Sequence, residues 1–312
     1  MLALRTVGLD LRRLWNTDLV YKFRRSPTAV ISGAATLVFV FIALSAGWLA
    51  PYDVMDPANA TVVDARLPPN SAGLFGDWYM LGTDPQGRDM LSAMMYGLRT
   101  SMLVGFGSVA LAALVGITLG LVSGYFGGLI DAVIMRIADV QLSFPAILIA
   151  LLIDGVARTV IERSVYATVA VPIVIVAIAA SYWVQYARTV RGLVLIERGR
   201  EYVLAAQVTG VGTVRIMFTH ILPNVLGPVV VIATINLALA ILTESTLSFL
   251  GVGIPPSQPS LGSLVRIGNE YLFSGDWWIA IMPGALLASL ALAVNLFGDW
   301  LRDAFNPRLV SI

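Results

Sequence analysis

Residues 101–125 read SMLVGFGSVALAALVGITLGLVSGY and contain no charged side chain. An α-helix needs about 20 consecutive apolar residues to cross the hydrocarbon core of a membrane. Lipid cannot satisfy the backbone groups of an open chain, so this stretch predicts a membrane-spanning helix. Small residues recur within it at every fourth position, at Ala112, Gly116, Gly120 and Gly124. This spacing lets a second helix approach closely, and helix packing alone accounts for it.

The composition of the whole chain agrees with a membrane protein. Of 312 residues, 58% are apolar and 12% are charged, whereas soluble domains contain about 45–50% apolar and about 25% charged residues. The net charge of +1 gives no polybasic surface, and we expect no nucleic-acid partner. The chain contains no cysteine, and its only histidine and only lysine are His220 and Lys22. A disulfide, a Cys-ligated metal, a paired-histidine zinc site and a Walker A loop are therefore excluded.

Five further stretches are long and apolar enough to span a membrane, so the sequence predicts an all-α, polytopic protein with six transmembrane helices. They are residues 28–50, 129–153, 165–186, 226–250 and 278–296. The first span exceeds the length of a signal-peptide core and is expected to be retained. Apolar residues alternate with basic ones in residues 1–27, which predicts an amphipathic helix lying at the membrane surface.

The distribution of basic residues predicts that both termini are cytoplasmic. In this orientation the inner segments hold fourteen of the 20 Lys and Arg residues, and the outer segments hold the other six. This asymmetry follows the positive-inside rule. The chain then divides into the N-terminal helix 1–27, the first span 28–50, an outer loop 51–100, and a five-span core 101–312. A second outer loop covers residues 251–277, and a long inner loop covers residues 187–225.

Polar side chains are few within the predicted spans. Glu244 near the outer end of the fifth span is either a functional acid or a partner for the loop that follows. Arg136 and Asp139 are three residues apart, and we expect them to pair along the third helix. Kinks are expected at the prolines within spans three, four and six, namely Pro145, Pro172 and Pro283.

The inner loop 187–225 predicts a helix–turn–helix. Residues 201–208 favour a helix, and Gly210 allows a turn. Thr213 is placed to cap a second short helix, which Pro223 would end. Small and apolar side chains would be exposed there unless a partner covers them: Tyr202, Ala205, Ala206, Ile216 and Phe218. Arginines add a basic rim, which a partner explains as well as topology and lipid headgroups do: Arg188, Arg191, Arg198, Arg200 and Arg215.

Several segments of the chain resemble one family. Ala205, Ala206 and Gly210, followed by Ile221-Leu222-Pro223, resemble the EAA loop of ATP-binding-cassette (ABC) importer permeases. Other segments resemble, more narrowly, the C-type permease subunit of dipeptide, oligopeptide and nickel importers: residues 82–89 (GTDPQGRD), 201–202 (EY), 247–251 (LSFLG), 295–303 (NLFGDWLRD) and 306–308 (NPR). The chain departs from the family pattern at Leu204, where the EAA triplet has Glu. Glu201, one turn earlier on nearly the same face, is a candidate replacement.

The resemblance implies a type I ABC importer permease in a bacterial-type inner membrane. Such a chain is non-catalytic, forms a heterodimer with a second permease, and receives substrate from an extracytoplasmic binding protein. One or two partner ATPase subunits bind the ATP and Mg, and this chain binds no cofactor. The inner loop would be the coupling helix that contacts the ATPase, through Glu201, Tyr202, Ala205, Ala206, Gly210, Arg215 and His220. For His220, a hydrogen-bonding role near the end of the loop is the alternative.

The resemblance implies di- or oligopeptides as substrate, with a nickel chelate, haem or another small solute as alternatives. Both outer loops are candidate docking surfaces for the binding protein. Within the first, the candidate docking residues are Gly82, Asp84, Arg88 and Asp89, for which a structural cap on the second span is an equal alternative.

Two other classes of protein are disfavoured. An ion-coupled secondary transporter would need acids at the membrane midplane, broken helices or inverted repeats, and none is evident in the sequence. An intramembrane enzyme with a histidine base is disfavoured because there is no cysteine and His220 lies in the inner loop.

Overall fold

The computed structural model describes residues 18–56 and 62–304, and every statement below refers to these residues. Part of the predicted N-terminal helix and the motif residues 306–308 lie outside them. In chain order the helices are α1 (Asp18–Arg25), α2 (Pro27–Leu49), α3 (Met90–Phe126), α4 (Gly128–Leu142), α5 (Ala146–Val160), α6 (Arg163–Glu197), α7 (Glu201–Val208), α8 (Thr213–Arg215), α9 (Leu222–Phe249), α10 (Leu261–Asn269) and α11 (Trp278–Ala304).

The connections between these helices are short, apart from the segment between α2 and α3. That segment contains a 3-10 turn (Val62–Asp64) and a small antiparallel hairpin of β1 (Ser71–Ala72) and β2 (Trp78–Tyr79). A π-helical turn (Ile216–Ile221) joins α8 to α9, and a second 3-10 turn (Leu272–Ser274) follows α10. Ser26 is the N-cap of α2 and Pro27 its first residue, and the Ser26 hydroxyl accepts a hydrogen bond from the amide of Ala29.

Five helical stretches are long and apolar enough to span a membrane: α2, α3, residues 164–197 of α6, residues 213–249 across α8 and α9, and α11. The third predicted span, residues 129–153, is wrong as a single helix. It is the pair α4 and α5, bent by 92° at the break between them. The break lies at Ser143–Pro145 because a proline disfavours helical geometry at the residue before it, here Phe144. Pro172 and Pro283, in contrast, lie inside the unbroken helices α6 and α11.

The row of small residues on α3 lies against α6. A Cβ atom added at Gly116 would come within 2.5 Å of the carbonyl oxygen of Trp183, and one at Gly120 within 2.6 Å of the carbonyl oxygen of Ala187. Each distance is far below van der Waals contact, so these two backbones meet only because the side chains are absent. Ala112 and Gly124 are also buried in the α3 row.

The short helix α4 is joined to α6 by two ion pairs. Asp131 pairs with Arg191, and Asp139 pairs with Arg188. The predicted pair between Arg136 and Asp139 is therefore wrong. Asp139 lies on the side of α4 that faces α6, where an arginine of the neighbouring helix reaches its carboxylate.

Candidate functional site

Helix α7 (Glu201–Val208) has the bounds that the sequence predicts, and it is held by one face only. Val203 and Ala206 are buried, with 0% and 8% of their surface exposed, in a cluster that includes Ile216. On the other face, Leu204 is 48% exposed and Val208 is 89% exposed. The helix is therefore anchored to the bundle and uncovered on its far side.

The segment after α7 differs from the prediction. Gly210 makes the turn with a φ of +77°, but Gly212 rather than Thr213 is the N-cap of α8. Pro223 does not end a helix, because it lies in the first turn of α9, where its missing N–H costs little. Residues 213–249 therefore form one continuous helical stretch that runs from the turn beside α7 into the membrane-spanning region.

The exposed surface around α7 also differs from the predicted set. Ala206 and Ile216 are buried, so the expectation that both need a partner is wrong: they pack within this chain. Tyr202, Ala205 and Phe218 are exposed as expected. We name as the α7 surface the exposed residues Glu201, Leu204, Ala205, Val208, Val214, Arg215 and Phe218. The sequence reading missed Leu204, Val208 and Val214, although the spacing of Leu204 and Val208 by four residues was a usable signal.

Tyr202 joins the three helices that meet at this end of the bundle. Its hydroxyl donates to Glu197 Oε2 of α6 at 2.5 Å and accepts from Asn224 Nδ2 of α9 at 2.9 Å. Burial, together with the hydrogen bond to Glu197, raises the pKa of Tyr202. The backbone oxygen of His220 accepts from Asn224 at 3.0 Å, whereas its Nδ1 is buried with no hydrogen-bond partner among the described residues.

Several arginines of the predicted basic rim are occupied within this chain. Arg198 Nη1 donates to the carbonyl oxygen of Gly124 at 3.0 Å, at the carboxyl end of α3, where a helix carries partial negative charge. Arg188 and Arg191 bind the two aspartates of α4. Arg215 is exposed on the α7 surface and remains placed for a partner.

At the opposite end of the bundle, residues 82–89 build the start of α3. Arg88 Nη2 lies 2.6 Å from Asp84 Oδ2, and both side chains are buried. Asp89 is the N-cap of α3 and accepts from the amide of Ser92 at 2.7 Å, while burial raises the pKa of its carboxyl group. Gly82 has a φ of +80°, which a glycine adopts readily. These four residues are thus arranged as a structural cap, and their contact with a docking protein stays a prediction.

Glu244 is fully buried and lies between helices. Its carboxylate accepts from the hydroxyl of Ser101 on α3 at 2.7 Å and from that of Ser248 at 2.8 Å. The Ser248 hydroxyl in turn accepts from the amide of Ile254 at 3.4 Å. Of the two alternatives for Glu244, the geometry supports the hydrogen-bonding role. Glu244 binds the neighbouring helix through Ser101 and reaches the following loop through Ser248.

The sequence reading missed Asp154. This residue follows the predicted end of the third span directly, and an acid four residues before Arg158 reads as an ordinary surface pair. In the structure Asp154 is 0% exposed and accepts from Arg158 Nε at 2.9 Å, from the Tyr166 hydroxyl at 2.6 Å and from the amide of Gly253 at 2.9 Å. Three separate segments therefore converge on one carboxylate.

A bundle of five long apolar helices and one bent pair, with an anchored but uncovered short helix at one end, is typical of a membrane permease that works with other subunits. Residues 116–311 match the family model described as the binding-protein-dependent transport system inner membrane component. Residues 14–69 match the N-terminal TM domain of oligopeptide transport permease C. The chain belongs to this family of ABC transporter permeases and is an inner-membrane component.

Named relatives cover nearly the whole chain. The dipeptide transport system permease protein DppC of Haemophilus influenzae is 36% identical over 289 residues, which is 93% of each chain. The di/tripeptide transport system permease protein DppC of Pseudomonas aeruginosa is 38% identical, over 88% of this chain and 86% of that protein. An inward-facing structure of the MetNI methionine ABC transporter has a chain with a TM-score of 0.52 at 18% identity, covering 69% of this chain and 97% of that one. That likeness concerns the fold alone.

Proposed function

We propose that this chain is one of two permease subunits of an ATP-driven importer of short peptides, and that its α7 surface receives a separate ATPase subunit. The observation that carries this proposal is the two-faced character of α7. Val203 on one face is completely buried, while Val208 on the other is 89% exposed. Exposed apolar side chains in an aqueous compartment favour a protein partner.

In this proposal the α7 surface faces the cytoplasm, and the partner ATPase holds ATP and Mg. The chain itself has no glycine-rich loop before its single lysine, so it supplies no nucleotide site of the P-loop type. ATP shifts the conformation of the permease only if it binds better to one state of the ATPase pair. Tyr202 and the continuous stretch 213–249 provide the path from α7 into α6 and α9.

The substrate class in this proposal is di- and tripeptides. Two relatives that align over most of this chain carry names of dipeptide and di/tripeptide permeases. A binding protein would deliver the peptide to the side opposite α7, and the peptide would cross between this chain and a second, similar permease.

The test is reconstitution in proteoliposomes of the complex that co-purifies with this chain. We expect uptake of a labelled dipeptide that needs ATP on the α7 side and the external binding protein, and no response to a proton or sodium gradient alone. Competition by tripeptides, a pentapeptide, a nickel chelate and haem measures the substrate class. Gradient-driven uptake without ATP, or ATP hydrolysis by the purified chain alone, would contradict the proposal.

A further inference from the structure

Residues 251–258, which we name the strap, follow α9 and are hydrogen-bonded to two separate parts of the chain. On one side, the amide of Gly253 donates to Asp154 Oδ2 of α5 at 2.9 Å, and its carbonyl oxygen accepts from the Tyr166 hydroxyl of α6 at 3.1 Å. On the other side, the carbonyl oxygen of Pro256 accepts from Arg88 Nη1 at 3.2 Å. The strap thus bridges the α5–α6 corner and the segment that begins α3.

Both oxygens of the Asp154 carboxylate are occupied. Oδ1 accepts from the Tyr166 hydroxyl at 2.6 Å, and Oδ2 accepts from Arg158 Nε and from the Gly253 amide, each at 2.9 Å. The Arg158 guanidinium also lies over the Tyr166 ring, 4.6 Å from its centroid, and donates to the Gly253 carbonyl oxygen. The buried carboxylate therefore holds the Gly253 amide, and its two partners Arg158 and Tyr166 hold the Gly253 carbonyl oxygen.

This kind of contact is suited to being made and broken. Asp154 is completely buried, but the side chain of Arg158 is 31% exposed, so water can reach the pair from one side. Release of the strap therefore exchanges its hydrogen bond to the carboxylate for a hydrogen bond to water. Release would also remove Ile254, the one buried apolar side chain of the strap, from the core.

The backbone on either side of the contact can also change direction. Gly251 and Gly253 have φ angles of +81° and +115°, a region that other residues rarely enter. On the opposite side of the contact, α5 follows the 92° bend after α4. A few terminal residues of this kind are enough to absorb a large change of backbone direction.

We propose that Asp154, with Arg158 and Tyr166, is a latch that holds the strap against α5 and α6 in one state of the transport cycle and releases it in the other. Asp154 is a positioning residue in this role. The latch lies at the end of the bundle opposite α7, which is the extracytoplasmic side in the proposed orientation. Only its release by ATP rests on the proposed function, because the contact itself belongs to this chain.

The natural absence of cysteine permits a direct test with single reporters. Ile254→Cys places a thiol at a position that is 4% exposed, and Ser257→Cys places one at an exposed position of the same strap. The rate of reaction with a water-soluble maleimide is measured in lipid nanodiscs. With the latch intact, we expect Ile254→Cys to react slowly and Ser257→Cys to react fast.

Adding Asp154→Ala should raise the rate at Ile254→Cys roughly ten-fold, or about 1.4 kcal/mol, since it removes the carboxylate that holds the Gly253 amide. The rate at Ser257→Cys should change less than about two-fold, because that site is already open. The matched control is Asp276→Ala, which removes a carboxylate 3.4 Å from Arg66 at the same end of the bundle but outside the latch. Equal rates at Ile254→Cys with and without Asp154 would overturn the latch.

Tyr166→Phe keeps the ring and removes only the hydroxyl, so it tests the same contact if the Asp154 variant does not fold. A rate at Ile254→Cys unchanged by Tyr166→Phe as well would overturn the latch. In the complex with its ATPase trapped by ATP and vanadate, we expect the Ile254→Cys rate to rise without any variant. A rise with the variants but none on trapping would overturn release during the cycle. Failure of an ATPase to co-purify would instead contradict the proposed function. The comparison of the Asp154→Ala and Tyr166→Phe variants in nanodiscs would still test the latch.

Discussion

Arg191 of α6 and Asp131 of α4 form a two-point ion pair, in which Arg191 Nε lies 2.5 Å from Asp131 Oδ1 and Nη2 lies 2.6 Å from Oδ2. This geometry requires the planar fork of a guanidinium. The pair joins the first turn of α4 to α6. The first prediction concerns this contact.

Arg191→Lys keeps the charge and loses one of the two hydrogen bonds, and we expect it to lower stability by about 1 kcal/mol. For a chain of 312 residues this corresponds to a fall of about 1–2 °C in the melting temperature in detergent. Arg136→Lys, on an exposed position of α4, is the control and should leave the melting temperature unchanged. Equal shifts for the two variants would show that the fork geometry is unimportant.

Gly120→Ala should destabilise the contact between α3 and α6. Its Cβ atom would lie 2.6 Å from the carbonyl oxygen of Ala187, so the helices must move apart at a cost of roughly 1–3 kcal/mol. Gly192→Ala on α6 is the matched control, because no atom lies within 4 Å of its added Cβ. Thermal unfolding in detergent measures both variants. The control should be neutral or stabilising by up to about 1 kcal/mol, and a similar loss in both would contradict the packing argument.

Val208→Asp tests the α7 surface. A charge at this 89% exposed position should reduce the amount of ATPase that co-purifies by about ten-fold, or roughly 1.4 kcal/mol of binding free energy, with the melting temperature unchanged. Phe273→Asp makes a similar change at a residue that is 97% exposed at the other end of the bundle. The control should leave ATPase recovery intact. Loss of ATPase in both variants would point to general damage rather than to a local interface.

Glu201→Gln and Arg215→Gln should each lower transport by weakening attachment of the ATPase, with folding intact. Both residues are exposed on the α7 surface, so neither substitution removes a contact from the core. Recovery of ATPase and dipeptide uptake are measured together. Leu204→Glu should restore uptake to the Glu201→Gln variant if an acid one turn later is equivalent. Normal recovery and uptake in both single variants would remove these two residues from the interface.

The carboxyl of Asp89 gives a prediction that depends on pH. Burial raises its pKa above the ordinary value of 3.8, so the folded state favours the neutral acid. Its favourable contribution is full below that ordinary value and is lost as the pH rises through the raised pKa. Asp89→Asn keeps a capping oxygen but does not titrate, so its melting temperature relative to the natural chain should rise between pH 3.8 and neutrality.

Thermal scans across this range measure the Asp89 effect, and Asp276→Asn is the control at an exposed ion pair. If the difference in melting temperature between Asp89→Asn and the natural chain stays constant with pH, the prediction for Asp89 is contradicted.

The sequence predicted the apolar spans and α7 well, because both depend on local composition. It made the spans too short: α3 begins at Met90 rather than residue 101, since a helix continues beyond the lipid into segments that carry charge. The bend at Pro145 was expected only as a kink. Whether a proline kinks a helix or breaks it depends on packing around it, as Pro172 inside α6 shows.

The residues of the site were predictable where neighbours in sequence decide their position, and not where distant segments meet. Asp154 is the clearest case, because Gly253 lies 99 positions away in the chain. Ile216 was expected at a partner interface, but it packs beneath α7, and its apolar character alone does not distinguish the two outcomes. Helical periodicity predicts that Leu204 and Val208 lie on the same face of α7. Which face is free is known only from the structure, because Val203 on the other face is buried.

The continuous helical stretch 213–249 connects the two ends of the bundle and is placed to act as a lever between them. At 1.5 Å per residue its 37 residues extend over about 55 Å, more than the thickness of the hydrocarbon core. A pivot of about 10° around its centre would carry the two ends roughly 5 Å in opposite directions. One end adjoins α7 and the other leads into the strap, so in the proposed transport cycle a displacement of a few ångströms at α7 would move the strap end in the opposite direction.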